Sequence, residues 1–134
     1  MMAPKIVITM GDCAGVGPEV IVKALSMPDI YKICQPIVVG DAKVLASILE
    51  SSKGAWSKGE LRLNPIKDIR KAKFNYGVID LFDLGNIDMD RLKPGRVDPM
   101  CGKATFEYIK KGVEIVQSGG AKGMVTAPLC KKSM

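Results

Sequence analysis

The sequence predicts an α/β fold with a mainly parallel sheet and flanking helices. Two observations carry that reading. Short apolar runs of strand length alternate with amphipathic helical segments, an order that requires crossover connections. The chain has 134 residues and is 47% hydrophobic, which is enough to bury one real core.

Lys5 to Met10 is an apolar run that reads as the first strand. A helix follows from Pro18, with Val20, Ile21, Ala24 and Leu25 on one face, and Pro28 ends it. Pro36 to Gly40 is the second strand. Asp41 can then cap a helix in which Ala42, Leu45, Ala46 and Leu49 form a stripe. Ser51 to Gly59 reads as an exposed connection, its isolated Trp56 packing at an edge rather than holding a ligand. Glu60 to Asn64 and Gly77 to Leu84 are two further strands. The long loop from Gly85 to Pro99 is of a length that is often functional in compact domains. Lys103 to Gln117 has helical spacing, with Phe106, Ile109, Val113 and Val116 on one face and Glu107 to Lys111 as an i,i+4 pair. Gly119-Gly120 stops it, and Gly123 to Thr126 reads as a last, buried strand.

Composition sets limits on function. No apolar run approaches the roughly 18–20 residues that span a bilayer, and the first residues show no signal-peptide pattern, so a cytoplasmic protein is expected. The net charge of +6 includes a loose basic stretch of Arg62, Lys67, Arg70, Lys71 and Lys73 without interleaved aromatics. That favours a solvated surface over a nucleic-acid site, although a positive field would help draw in a phosphorylated substrate. Cysteines 13, 34, 101 and 130 form no C-x-x-C pair and have no histidine to complete a zinc site, so they are expected to be reduced thiols.

The stretch Thr9-Met10-Gly11-Asp12-Cys13-Ala14-Gly15-Val16-Gly17-Pro18-Glu19 carries the most chemistry. A strand runs through three glycines into a helix, and residues without Cβ allow positive φ and close approach of main-chain N–H groups to a ligand. Pro18 suits the first helical turn. A Rossmann turn is disfavoured, because the glycine spacing differs and Glu19 would set a carboxylate where a pyrophosphate sits. Asp12 reads either as a turn former or as a residue orienting the loop over a cofactor.

This stretch closely resembles the N-terminal motif of the PdxA family of 4-hydroxythreonine-4-phosphate dehydrogenases, although proline is usual where Cys13 stands. A second match lies at Val125-Thr126-Ala127-Pro128-Leu129-Cys130-Lys131, preceded by Gly102-Lys103-Ala104-Thr105-Phe106-Glu107-Tyr108-Ile109, which is similar to the helix before the family's T-[GA]-P-[IVL]-x-K segment. The resemblance implies that residues 1–134 are an incomplete first part of a two-domain enzyme of isocitrate/isopropylmalate dehydrogenase type, assembled as a homodimer. It implies NAD as cofactor, held by a loop containing Gly11, Asp12, Gly15, Val16 and Gly17. It also implies a divalent metal (Zn, Mg or Mn) bound through three histidines, none of which is in this chain.

The implied reaction oxidises and decarboxylates 4-hydroxythreonine 4-phosphate in pyridoxal phosphate biosynthesis. The related dehydrogenase of 4-phosphorylated threonate or erythronate is the alternative, and a non-catalytic binding or assembly module is a third reading. Lys131 matches the family's lysine and is the candidate catalytic residue, holding anionic groups or relaying a proton; the competing reading is a solvated helix start. Thr126 is a candidate substrate contact or a hydroxyl satisfying backbone at the strand end. Cys130, beside two lysines, could have a depressed pKa but lacks a visible base, so it reads as a small apolar filler. No nucleic acid or membrane partner is expected. The isolated chain is expected to be inactive.

Overall fold

A computed structural model describes residues 3–52 and 61–134. Trp56 and the central part of its connection lie outside the described residues. Five strands, β1 (Lys5–Thr9), β2 (Gln35–Gly40), β3 (Arg62–Ile66), β4 (Val78–Asp83) and β5 (Gly123–Thr126), form one sheet in the order β3-β4-β2-β1-β5. Every neighbouring pair is parallel, with Val7 opposite Ile37 on one side of β1 and Met124 on the other. The expected parallel α/β architecture is therefore present.

The helices are α1 (Gly17–Leu25), α2 (Ile30–Ile33), α3 (Ala42–Ser51) and α4 (Pro99–Gln117). α1 packs on α3, whereas α4 crosses β1, β2 and β5. The chain leaves β1 toward β2 but returns from β4 past both to β5, so right-handed crossovers place α1 and α3 on one face of the sheet and α4 on the other. Val7, Val38, Val39, Ile79 and Leu81 are fully enclosed between these layers, as strands covered on both faces should be.

Asp41 caps α3 as expected: its carboxylate accepts from Lys43 N–H at 2.7 Å and Val44 N–H at 3.3 Å. It also accepts from Ile87 N–H at 2.9 Å, which ties the loop after β4 to the end of β2. Several boundaries differ from expectation. β3 runs on through Pro65, which an edge strand tolerates because its outer N–H groups have no ladder partner. The short α2 was not anticipated. In α1 the buried face is Ile21, Val22 and Leu25, with Val20 46% exposed; in α3 Val44 and Leu45 are buried and Ala46 is exposed.

α4 departs furthest from the sequence pattern. It starts at Pro99, not Lys103, because Asp98 caps it through Met100 N–H at 2.8 Å and Pro99 suits the first turn. The face it buries is Cys101, Ala104, Thr105, Tyr108, Gly112 and Ile115, while Phe106 is 59% and Val113 37% exposed. Small residues let this helix lie close on the sheet: a Cβ at Gly112 would sit 2.6 Å from Met124 Sδ and 3.2 Å from Val7 Cγ1. Lys111 pairs with Glu114 at 3.5 Å, not with Glu107, whose carboxylate accepts instead from Asn86 Nδ2 at 2.8 Å. β5 is likewise not a buried strand. It forms the sheet edge, and Val125 is 56% exposed.

Candidate functional site

The loop between β1 and α1 interlocks with the residues that follow β5. Ala127 N–H donates to Thr9 O at 3.0 Å, and Asp12 N–H donates to Pro128 O at 3.1 Å. Gly11 has φ +73°, and a Cβ there would lie 2.8 Å from Ala127 O and strike Pro128 O as well. A Cβ at Gly17 would strike Met10 O and come within 3.1 Å of Pro128 O. These two glycines are thus required by the chain's own backbone. Of the three, only Gly11 takes the positive φ that the sequence suggested for all.

Asp12 points inward and accepts from Ala14 N–H at 3.0 Å, the geometry of a turn former. Gly15 and Val16 face solvent, with Val16 55% exposed, and α1 begins there with no side-chain cap. The outer rim of the loop therefore offers the uncapped N-terminal end of a helix, where backbone N–H groups remain open.

Two further groups hold the loop to α4. Thr105 Oγ1 lies in hydrogen-bond reach of Gly11 O at 3.0 Å and Cys101 O at 2.8 Å. Cys13 is bonded to Cys101, with Cα atoms 5.6 Å apart, which corrects the expectation of reduced thiols at these two positions. A separation of 88 residues conceals the pairing in the sequence, and it emerges only because α4 starts early enough to bring Cys101 under the loop. In the chain-entropy account a closure of this length stabilises by about 4–5 kcal/mol. Cys34 and Cys130 are free. A carboxylate oxygen of Asp12 and the two bonded sulfurs all lie within 4.8 Å of one another.

Thr126, Lys131 and Lys132 are all exposed, the two lysines on a single 3-10 turn, Lys131–Ser133. That turn is anchored from beneath: Ser133 is buried, its hydroxyl accepts from Asp98 N–H at 3.3 Å, and a Cβ at Gly102 would strike its carbonyl oxygen. The Cys130 thiol is held below its ordinary pKa by the Ser133 hydroxyl and the backbone N–H groups of Ser133 and Lys132, with desolvation and, less, the field of Asp12 opposing. The charges of the neighbouring lysines are not the cause, contrary to the sequence reading.

The long loop after β4 and the first turns of α4 line a cleft at the same carboxyl edge, with Asn86, Asp88, Arg91, Met100, Lys103 and Glu107 around it. Among the described residues Arg91 and Lys103 form no ion pair. Sequence reasoning singled out the loop's length but none of these residues as site members; the signal available was two cations flanking a helix start that went unrecognised. In open α/β sheets ligands sit at this edge. Asp41, the acidic residue a Rossmann turn would need, is instead buried, one carboxylate oxygen capping α3 and the other accepting from Ile87 N–H and Lys43 Nζ. The three histidine ligands implied by the resemblance are not among the residues of this chain, so these 134 residues do not build that histidine site. Among the described residues no helix is long and apolar enough to cross a membrane.

Comparison with known proteins agrees with this geometry. The family described as "Pyridoxal phosphate biosynthetic protein PdxA" matches residues 32–134. A "Putative D-threonate 4-phosphate dehydrogenase" of Clostridium botulinum (strain Hall) is 45% identical over 131 residues, covering 98% of this chain and 38% of its own. One of the same description from Fusobacterium nucleatum is 41% identical over 133 residues, 99% and 39% of the two chains. The crystal structure of a 4-hydroxythreonine-4-phosphate dehydrogenase from Burkholderia phymatum superposes with TM-score 0.91 at 41% identity, over 99% of this chain and 38% of that one. The chain thus spans well under half the length of these relatives. With most of its length matched by the family pattern and its sheet superposing on a solved member, the chain belongs to the PdxA family.

Proposed function

We propose that these 134 residues form the first α/β portion of an NAD-dependent dehydrogenase that oxidises a phosphorylated hydroxy acid, D-threonate 4-phosphate. The observation that carries the reading is the interlock of the two motifs. Asp12 N–H on Pro128 O joins the glycine loop to the Thr126-Ala127-Pro128 segment at one sheet edge. The names of the two curated relatives described above favour D-threonate 4-phosphate over 4-hydroxythreonine 4-phosphate. The latter is kept as a second reading, and with it a place in pyridoxal phosphate biosynthesis, because the superposing structure bears that name. The enzyme would be a cytoplasmic homodimer.

NAD, when bound, supplies the hydride acceptor. The chain's own part is orientation. Gly15 and Val16, as the open rim, would abut the dinucleotide, while Gly11, Asp12 and Gly17 hold that rim in place from inside. Lys131 would hold an anionic group of the substrate or take the alcohol proton, with Thr126 as a hydroxyl contact. Arg91 and Lys103 add positive charge beside the edge, suited to a phosphate.

The test is a chimera in which these residues replace the matched part of the C. botulinum relative, assayed for NAD reduction with each of the two phosphorylated acids. Turnover of D-threonate 4-phosphate is expected. Lys131→Ala should lower kcat/KM at least about a hundredfold, equivalent to ~2.7 kcal/mol of transition-state stabilisation, and Lys132→Ala should do little. A folded chimera inactive on both acids, or equal and salt-sensitive losses for the two lysine variants, would overturn the reading of the site.

A further inference from the structure

The group of Asp12, Cys13 and Cys101 contains a feature that a disulfide alone does not explain. Asp12 is only 9% exposed, yet among the described residues its carboxylate has no cationic partner. One hydrogen bond, from Ala14 N–H at 3.0 Å, is its visible support. A buried carboxylate without a counter-charge is costly. Reduction of the pair would place two thiol groups beside that carboxylate in the same enclosed space. A divalent cation held by the two sulfurs and the carboxylate would supply the missing counter-charge.

We propose that Cys13, Cys101 and Asp12 form a redox-gated site for a thiophilic divalent cation of the Zn2+ or Cd2+ class. The donor atoms already lie within 4.8 Å of one another, and all three residues are buried. Two sulfurs and one carboxylate oxygen are the donors such a cation prefers, with a fourth position left for water. The hydrogen bond from Ala14 N–H orients the carboxylate, as outer-shell partners of metal ligands do. As a disulfide the pair ties the glycine loop to the first turn of α4 covalently. As a dithiol it ties them through the cation.

Conversion between the two states balances with an external dithiol or phosphine as reductant. The reductant delivers two electrons and, with two protons, breaks the S–S bond to give two thiols, itself becoming a disulfide or phosphine oxide (the oxide taking its oxygen from water). The cation then displaces one proton from each thiol. The proposal is independent of the function proposed above, because it concerns the hold on the loop and not the chemistry at its rim. The absence of histidine from the chain makes it unusually easy to test.

The experiment is an anaerobic titration of the 134-residue chain with Cd2+ after reduction by a phosphine, following sulfur-to-cadmium charge-transfer absorption. One equivalent should saturate the reduced chain and none should bind the disulfide form. Replacing both Cys34 and Cys130 by serine should leave binding intact. Cys101→Ser should abolish it. Asp12→Asn keeps both thiols and a hydrogen-bond acceptor for Ala14 N–H, so it tests the third ligand even if the cysteine variant fails to fold; it should weaken binding about tenfold or more. No absorption in the reduced chain, equal binding by the disulfide form, loss on replacing Cys34 and Cys130, or unchanged affinity in Asp12→Asn would each overturn the proposal.

Discussion

The glycine loop has an inner half and an outer rim that obey different rules. Inside, Gly11 and Gly17 meet backbone oxygens of residues 127, 128 and 10, and no side chain can be inserted without moving main chain. Outside, the three atoms nearest to a Cβ at Gly15 would all belong to the side chain of Asp12, the first at 3.2 Å, and Val16 is 55% exposed. A single motif thus contains residues that build the fold and residues free to meet a ligand. A glycine-rich sequence does not itself say which are which. The distinction narrows the proposed dinucleotide contact to Gly15 and Val16 and leaves Gly11 and Gly17 to hold them still.

The comparison can be broken at Gly17 by packing alone, without a positive φ. Alanine there has to displace Met10 O or the start of α1, since both obstacles are backbone. A loss of about 2 kcal/mol or more in a denaturant melt is expected, as for overpacked sites generally. A smaller effect, on reactivity and not on stability, sharpens the same division. Cys130 stands above the interlock with its thiol pKa lowered, whereas burial raises that of Cys34. A lower pKa gives more thiolate at a given pH. Alkylation of Cys130 should therefore reach its plateau at lower pH than that of Cys34, and Cys13 and Cys101 should react only after reduction. Peptide mapping across a pH series checks the order, and faster labelling of Cys34 would contradict it.

What the sequence revealed and concealed follows the same physical lines. The strands of the central sheet, the Asp41 cap and the stop at Gly119, where φ is +85°, are written in local chemistry and were read from it. α4 was legible as a helix but turned the wrong way. Its apolar stripe of Phe106, Ile109 and Val113 faces outward or is only part covered, because the sheet takes the small-residue face around Gly112 instead. Large aliphatic residues dominate a periodicity argument, and a close contact made by glycine, alanine and threonine leaves little trace in it. The site shows the same limit. The two motifs were found by resemblance, but the disulfide, the Thr105 hydroxyl under Gly11 and the cleft around Arg91 and Lys103 depend on tertiary neighbours far apart in sequence.

The most direct test of the division within the loop is the pair Gly11→Ala and Gly15→Ala, compared by denaturant unfolding of the oxidised chain. Gly11 combines a left-handed backbone with two carbonyl oxygens in the path of a side chain. Its replacement should cost about 3 kcal/mol or more, from strain of roughly 1–2 kcal/mol and the displacement of residues 127 and 128. Gly15 has neither constraint, and its alanine variant should stay within about 1 kcal/mol of the parent. Similar losses at the two positions, or the larger loss at Gly15, would contradict the account of a loop locked on its inner side and free at its rim.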